Sequence, residues 1–157
     1  MSNKYRMANP NIIYRAVTED DLTSINHVIE QAVMSWPLAE RLKRLSLNVL
    51  LYDATDLQHY SGIVAIANDD IIAITMWDED HTHSLLHGLY VQPAHQALGI
   101  GRQLIERVAE AVRQVGGDHL YIKAERVSCS YFEQMGLTRV ESTDEAQYPY
   151  LYRMDLS

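Results

Sequence analysis

The sequence contains little of what marks several special classes of protein. Its single cysteine, Cys129, excludes an internal disulfide and fits a reducing compartment. No apolar run approaches the roughly 20 residues that a membrane-spanning helix needs. The first eleven residues, MSNKYRMANPN, lack the apolar core of a secretory signal. We therefore expect a cytoplasmic protein with no membrane partner, in which residues 1–11 form a flexible or loosely packed segment.

Clustered basic residues are also missing. The 13 lysines and arginines are scattered along the chain, and 21 aspartates and glutamates give a formal net charge of -8. A surface that follows nucleic-acid phosphates needs grouped Lys and Arg side chains, so no nucleic-acid partner is expected. The acidic balance favours a cationic small partner or an amine substrate, although it also serves solubility alone.

The remaining composition is that of an ordinary globular domain. With 157 residues, of which 47% are hydrophobic and 22% charged, the chain can bury one real core but not two, which predicts a single domain over residues 1–157. Apolar patterns follow the order β-α-α-β-β-β-α-β-α-β-β. Hairpins with one strand-helix-strand crossover predict an α/β fold, with a mixed, mostly antiparallel sheet of about seven strands flanked by four helices.

Three local signals locate parts of this order. Apolar residues at positions 38, 42, 45 and 49 recur at helical spacing and predict the second helix. The turn-prone residues 68–70 lie between two apolar runs and predict a β-hairpin. SLLHGLYV, residues 84–91, is an apolar run of strand length that ends at Gln92-Pro93.

A pair of glycines follows this strand, within PAHQALGIGRQL at residues 93–104. Gly99 and Gly101 lie where a helical pattern begins, and a helix N-terminus exposes unpaired amides that bind anions. Without side chains there, a phosphate can touch the backbone; the same glycines would also serve a tight turn that holds no ligand. The segment lacks the Gly-Lys-Ser/Thr of a P-loop and the third glycine and later acidic residue of a dinucleotide fold.

The residues from Gln96 to Gly101 resemble the acetyl-coenzyme A loop of the GCN5-related N-acetyltransferases (GNAT), Gln/Arg-x-x-Gly-x-Gly/Ala. LYVQP resembles that family's strand ending in Val-x-Pro, and YFEQMGL resembles its late Phe-Tyr-x-x-x-Gly-Phe segment. The order of elements from residue 12 to 156 also matches. On these motifs the chain is identified as a member of the family, which implies the GNAT fold.

The resemblance implies that acetyl-coenzyme A (acetyl-CoA) is the co-substrate. The acetyl group would pass to a primary amine of a small molecule or protein, by direct transfer in a ternary complex. Backbone amides of the loop would hold the pyrophosphate, and the main chain of the preceding strand would pair with the pantetheine arm. The residues implied in binding are Leu89, Tyr90, Val91, Gln96, Ala97, Leu98, Gly99, Ile100, Gly101, Arg102, Ser128 and Phe132.

The sequence departs from the family's usual loop at two positions, and the resemblance also implies an assembly state. Ala97 and Leu98 stand where the family often has glycine and a basic residue; because the contacts come from the backbone, this change is expected to cost little. Homodimers are frequent in the family, and the apolar C-terminal strand YLYRMDL favours self-association. A homodimer is therefore expected.

Acetyl transfer to an amine requires a group that accepts a proton. His87 is the candidate base, since the ordinary pKa of histidine is near 6.5. Regular alternation places His87 on one face of the strand with Leu85, Leu89 and Val91. By resemblance, arylalkylamine acetyltransferases have a histidine at this position, whereas many relatives have a glutamate two residues earlier. A histidine satisfied inside the sheet is the alternative.

The general acid of the family is usually the tyrosine of its Phe-Tyr pair. Here the order is reversed to Tyr131-Phe132, which rotates the hydroxyl by about 100° around the helix. Tyr131 is the catalytic candidate, with a packing role as the alternative. Glu125 replaces an asparagine that often touches the cofactor in the family.

Phe132 motivates a rival function, a catalytically silent acyl-CoA-binding module. A third reading is an interaction protein that keeps the fold and has lost the cofactor. Release of free thiol with a panel of amines distinguishes the acetyltransferase from the silent binding module. Cofactor binding distinguishes both of these from the interaction protein. The acceptor is set by residues 34–45 and 142–152, and its identity cannot be read from them. His81 and His83 have no third ligand nearby, so no metal is expected.

Overall fold

A computed structural model of the protein describes residues 11–79, 84–140 and 149–156. The prediction for the N-terminal segment therefore falls almost entirely outside the described residues. Seven strands form one sheet in the order β1-β2-β3-β4-β5-β7-β6, and only the β4–β5 pair is parallel. The strands are β1 Ile13–Ala16, β2 Ser61–Ala67, β3 Asp70–Asp78, β4 Ser84–Val91, β5 His119–Lys123, β6 Thr138–Val140 and β7 Leu151–Asp155. The mixed, mostly antiparallel sheet is confirmed.

Five α-helices accompany the sheet in the described part of the chain: α1 Leu22–Met34, α2 Glu40–Leu50, α3 Ala54–His59, α4 Ile100–Gln114 and α5 Cys129–Gln134. The sequence predicts four of them and misses α3. Helix α3 is under two turns long and shows no apolar period; a capping box between Asp53 and Asp56 starts it. None of these helices is long and apolar enough to cross a membrane.

The helices cover both faces of the sheet. Adjacent residues of β2 belong to different clusters: Val64 packs with the apolar side of α1, and Ala65 packs with Ile100 and Leu104 of α4. Helix α5 adds Phe132 to a third cluster, which it shares with α4 and β5. Burial on two sides explains why the central strands are apolar at almost every position.

The apolar spacing correctly predicts helix α2, which begins at Glu40 and ends at Leu50, so Leu38 of the predicted stripe lies before it. The remaining members of the predicted stripe, at positions 42, 45 and 49, are among the exposed hydrophobic side chains. Leu47 and Leu50 pack against the α1 cluster instead. These two residues belong to a second apolar row on the same helix, and this row faces the core. The predicted stripe therefore identifies the helix but not its buried side.

The β2–β3 hairpin confirms the turn expected at residues 68–70. Asn68 and Asp69 have φ angles of 51° and 67°, and Ala67 pairs with Asp70. Two positive φ angles in a two-residue loop are those of a type I′ turn, and Asn and Asp tolerate this conformation better than most residues.

The C-terminal strand β7 lies inside the sheet, between β5 and β6. It pairs with β5 from His119 to Lys123 and with β6 from Thr138 to Val140. Both of its backbone edges are therefore used within the chain. A second copy therefore cannot pair with an edge of β7. The apolar sequence of this strand is the feature that favoured self-association.

Candidate active site

Strands β4 and β5 separate halfway along their length. Their pairing covers only Ser84–Leu86 on β4 and Leu120–Ile122 on β5. Beyond this point β4 continues to Val91 against β3, and β5 continues to Lys123 against β7. A cleft therefore opens between the two parallel strands, and no strand in the described part of the chain pairs with the edge of β4 that faces it.

A β-bulge lies at the closed end of this cleft. Leu86 pairs with Trp77 of β3 and Gly88 pairs with Met76, which leaves His87 without a partner on β3. A bulge interrupts the alternation of side chains. Leu86 and Leu89, three residues apart, consequently pack against the same cluster.

His87 does not share a face with Leu89, so that expectation is wrong. The His87 ring lies 4.3 Å from the ring of Tyr60, between centroids, and Tyr60 packs against the cluster formed by α1. Leu89 packs on the opposite side, against the clusters that contain α4 residues. The prediction assumed regular alternation from Leu85 to Val91, and the extra residue of the bulge breaks it.

Past the bulge, the main chain of β4 alternates between β3 and the cleft. The Gly88 carbonyl accepts a hydrogen bond from the Thr75 hydroxyl at 2.8 Å, and the Gln92 N–H donates to the Ile72 carbonyl at 2.8 Å. Because backbone groups alternate along a strand, Leu89 and Val91 direct theirs into the cleft. The Val91 carbonyl there accepts from the Gln96 side chain at 3.2 Å.

The loop before α4 has the backbone geometry of an anion site. Ala97 and Gly99 have φ angles of 66° and 79°. The first intrahelical bond runs from the Gln103 N–H to the Gly99 carbonyl, at 3.1 Å. The amides of residues 100–102 therefore precede the helical ladder and are available to a ligand.

Ala97 adopts a left-handed backbone conformation, which adds a cost that the expectation for this position did not include. The left-handed conformation crowds a β-carbon and costs roughly 1–2 kcal/mol for a residue other than glycine. The glycine that the family often carries in this loop would avoid that cost.

The cleft and the loop open into one cavity of about 600 Å³. Of the residues implied in cofactor binding, all except Leu98 line it, and Tyr131 does so as well. Leu98 is 49% exposed. Trp36, which follows α1, also lines the cavity. It belongs to residues 34–45, one of the two segments expected to set the acceptor.

Four lining positions escape the sequence analysis: Ala32, His95, Val127 and Met135. The approach of α1 and α5 to the loop before α4 is a tertiary contact without a local signal. His95 directly precedes the loop motif, and its position there is the one signal that could have found it.

The reversed aromatic pair places its hydroxyl on the cavity side. Tyr131 is 40% exposed, and a β-carbon on Gly101 would overlap the Tyr131 hydroxyl. Burial raises the pKa of Tyr131, and Arg102 opposes this shift. Phe132 is 4% exposed and packs 5.8 Å from the ring of Tyr152, between centroids. The position of the family's acid is therefore filled by a core side chain without a hydroxyl.

His87 is half-buried, and burial lowers its pKa. Lys123 lowers the pKa further, whereas Asp78 and Asp56 oppose the shift. The imidazole is therefore neutral near pH 7 and able to accept a proton. His87 is not among the residues that line the cavity; it lies at the bulge, beside the closed end of the cleft.

The sequence motifs predict the strand, the glycine loop and the helix start of this site, and the separation of β4 from β5 is seen only in the structure. The sequence profile described as "Acetyltransferase (GNAT) family" matches residues 26–137. The chain belongs to this family of acetyltransferases and is thus a transferase of the acyltransferase class. No match to the chain was found among curated proteins.

Solved structures share the fold over nearly the whole chain. The PaiA N-acetyltransferase from Thermoplasma acidophilum, in complex with coenzyme A, has a TM-score of 0.80 at 13% identity, covering 92% of this chain and 99% of that one. A GNAT-family acetyltransferase from Desulfovibrio desulfuricans has a TM-score of 0.71 at 21% identity, covering 93% and 99%. The ribosomal-protein-S18-alanine N-acetyltransferase from Escherichia coli has a TM-score of 0.65 at 17% identity, covering 93% and 94%. At these identities the likeness concerns the fold.

Within residues 11–79, 84–140 and 149–156, no group of three or more His, Cys, Asp or Glu side chains could hold a metal ion. His81 and His83 lie outside these ranges.

Proposed function

We propose that the protein is an acetyl-CoA-dependent N-acetyltransferase, which moves the acetyl group to a primary amine of a small molecule or protein. One observation carries the proposal: the edge of β4 that pairs with no strand in the described residues and the amides at the start of α4 meet in a single cavity. Family membership supplies the reaction class, and the coenzyme A in the Thermoplasma complex supports the choice of co-substrate.

The residues present fit acetyl-CoA at both ends of the cavity. Main-chain groups of Leu89 and Val91 face the cleft and match a pantetheine arm, which carries two amides. The amides of residues 100–102 and the positive end of the α4 dipole match the pyrophosphate. Arg102, exposed at the cavity, adds the positive charge that the loop lacks at Ala97 and Leu98.

Two groups of the chain take part in the reaction, one on the amine and one on the acyl oxygen. His87 takes the proton from the attacking amine, for which its neutral form is required. The Leu89 N–H, directed into the cleft, donates to the acyl oxygen as negative charge develops there. When bound, acetyl-CoA supplies the activated acyl group and the thiol leaving group.

Direct transfer in a ternary complex is supported by the position of the only cysteine. The Cys129 thiol donates to the Glu125 carbonyl at 3.7 Å, and Cys129 is not among the residues lining the cavity. An acyl-enzyme on Cys129 would require a different arrangement of α5. The acetyl group therefore passes from acetyl-CoA to the amine without a covalent enzyme intermediate.

Phe132 favours a second candidate, a catalytically silent acyl-CoA-binding module, because the family's acid position has no hydroxyl. Calorimetry with acetyl-CoA, followed by thiol release with butylamine, phenethylamine, 1,4-diaminobutane and an alanine-initiated peptide, separates the two. Binding with turnover on any amine supports the transferase. Binding without turnover on any of them favours the silent module, and absence of binding overturns both.

The assembly state and location complete the proposal as a cytoplasmic homodimer. Since β7 is paired on both edges, a second copy would have to dock on another surface. Light scattering at tens of micromolar is expected to give twice the monomer mass. A monomer mass at that concentration would contradict the dimer and leave the acetyltransferase proposal intact.

A further inference from the structure

The departing sulfur has no hydroxyl donor at the usual place. Phe132 occupies the family's acid position, and the Tyr131 hydroxyl lies against Gly101, in the first turn of α4. That turn is the part of the cavity assigned to the pyrophosphate. A hydroxyl that reaches the closed end of the cleft from another element would supply such a donor.

Two other tyrosine hydroxyls lie at that end. A β-carbon on Gly88 would lie 3.0 Å from the Tyr52 hydroxyl oxygen and 3.3 Å from the Tyr90 hydroxyl oxygen. Gly88 directly follows the bulge at His87 and precedes Leu89, whose main chain faces the cleft. The missing side chain of Gly88 is what allows both hydroxyls to approach the strand.

Tyr52 is held in place by a side chain of another helix. The Tyr52 N–H donates to Asn26 Oδ1 at 2.9 Å, and Asn26 Nδ2 donates to the Tyr52 carbonyl at 2.8 Å. Tyr52 belongs to the short connection between α2 and α3, and this two-way clamp fixes its backbone to α1. A loop residue fixed in this way presents its hydroxyl with little loss of conformational entropy on reaction.

We propose that the Tyr52 hydroxyl is a further catalytic group, which donates a hydrogen bond to the sulfur of the departing thiolate. The inference rests on the proposed acetyltransferase function. As the new C–N bond forms, the C–S bond breaks and its electron pair goes to sulfur. The Tyr52 O–H holds the thiolate and keeps its own proton, and a proton from solvent then converts the thiolate to the thiol.

The electrostatic surroundings agree with a donor that is not itself consumed. Burial raises the pKa of Tyr52, and Asp56 and Tyr60 raise it further. The hydroxyl therefore stays protonated throughout the range in which the enzyme would work. Tyr90 is 6% exposed and packs in the α1 cluster, with a ring carbon 2.7 Å from the same β-carbon position on Gly88. Tyr90 belongs to β4 itself, whereas Tyr52, which packs against the same cluster, reaches Gly88 from the connection between α2 and α3.

The test is Tyr52→Phe, assayed by thiol release from acetyl-CoA with water alone and with an amine that the wild type acetylates. We expect kcat to fall by about 10- to 100-fold in both assays, while the Kd of acetyl-CoA changes by less than about threefold. The pH profile should keep its shape, since Tyr52 does not titrate in that range. Tyr14→Phe removes a remote hydroxyl from β1 and should leave kcat unchanged.

Asn26→Ala tests the clamp as a positioning device. We expect a smaller loss of kcat than with Tyr52→Phe, and no additional loss when the two changes are combined, because Asn26 acts through Tyr52. Unchanged kcat in a folded Tyr52→Phe variant would overturn the inference alone. A loss confined to acetyl-CoA affinity would overturn it too. A wild type that does not bind acetyl-CoA would refute the proposed function itself.

Discussion

The His87 imidazole packs on the ring of Tyr60, with centroids 4.3 Å apart and planes inclined by 48°. Tyr60 directly follows α3 and precedes β2, and it packs against the α1 cluster. The candidate base therefore lies on the face of the sheet that carries α1. Acetyl-CoA would enter from the cavity at the other end of the cleft. The acceptor amine is thus expected to approach from the Tyr60 side.

Replacing His87 with Gln should lower turnover by about 10²-fold, since glutamine keeps hydrogen bonding but not basicity. The Kd of acetyl-CoA should stay nearly the same. The control His119→Gln removes an imidazole at the N-terminal end of β5, where His119 Nε2 lies 3.3 Å from Asp155 Oδ1. Full turnover in the His87→Gln variant would make the histidine structural and leave the cofactor assignment intact.

The pH dependence of wild-type turnover should report the same residue. Burial lowers the pKa of His87, so its neutral, active form persists below the ordinary histidine value. Activity should therefore fall as the pH is lowered through a midpoint below about 6.5. This limb should be absent from His87→Gln. An acidic limb that survives in the variant would assign the proton transfer to another group.

Gly101→Glu should abolish acetyl-CoA binding. The β-carbon would overlap the Tyr131 hydroxyl, and the carboxylate would repel the pyrophosphate. Gln103→Glu adds the same charge to an exposed position on the same helix and should weaken binding only modestly. Calorimetry compares the two variants. Wild-type affinity in a folded Gly101→Glu protein would place the phosphates elsewhere.

Ala97 offers a test of the left-handed turn. Ala97→Gly should keep or improve acetyl-CoA affinity, because glycine adopts a φ of 66° without strain. Ala97→Val should lower the affinity by at least about tenfold, because a β-branched residue resists this conformation and would distort the loop. Ala94→Val, in the exposed turn before the loop, is the matched control. Equal affinities for the glycine and valine variants would show that the loop conformation does not matter for binding.

The ion pair between Arg15 and Asp21 should make stability depend on pH. Arg15 contacts both carboxylate oxygens, at 2.7 and 2.9 Å, and its hydrogen bonds hold the pKa of the buried Asp21 below its usual value of 3.8. The stabilisation is present above the unfolded-state pKa and is lost as pH falls through the folded-state pKa.

Asp21→Asn should therefore reduce the free energy of unfolding by about 1–3 kcal/mol near pH 7. The difference from wild type should shrink in acid, where Asp21 is protonated in both states. Urea unfolding of this variant and of the exposed Asp20→Asn variant measures the effect. A difference that stays constant down to pH 2 would assign the loss to packing rather than to the charge.

Local features of this chain could be read from its sequence, and features created by strand pairing could not. Gly99 and the turn at Asn68 and Asp69 adopt backbone conformations that only a few residues tolerate, so the residue types reveal them. Gly101 lies where a β-carbon would overlap the Tyr131 hydroxyl. The bulge at His87 depends on how β4 pairs with β3, and no residue type encodes it.

The clamp on Tyr52 escaped the sequence analysis for a related reason. Asn26 and Tyr52 are 26 residues apart, and neither belongs to a motif. Their contact exists only once α1 and the α2–α3 connection have packed together. The aromatic pair is intermediate: helical geometry predicts that Tyr131 and Phe132 point in different directions, and only the packed structure shows which of them is buried.

The position of β7 has a consequence for synthesis. β6 precedes β7 in the chain, yet β7 is its only strand partner among the residues that the structure describes. Nascent β6 therefore has nothing to pair with until residues 151–155 have left the ribosome, and β5 likewise lacks a neighbour on that side. The half of the sheet that carries α5 must form late, after β2, β3 and β4 have had time to assemble as consecutive antiparallel neighbours and β1 has joined them. The cofactor cleft, which runs between these halves, is then the last part of the domain to acquire both its walls.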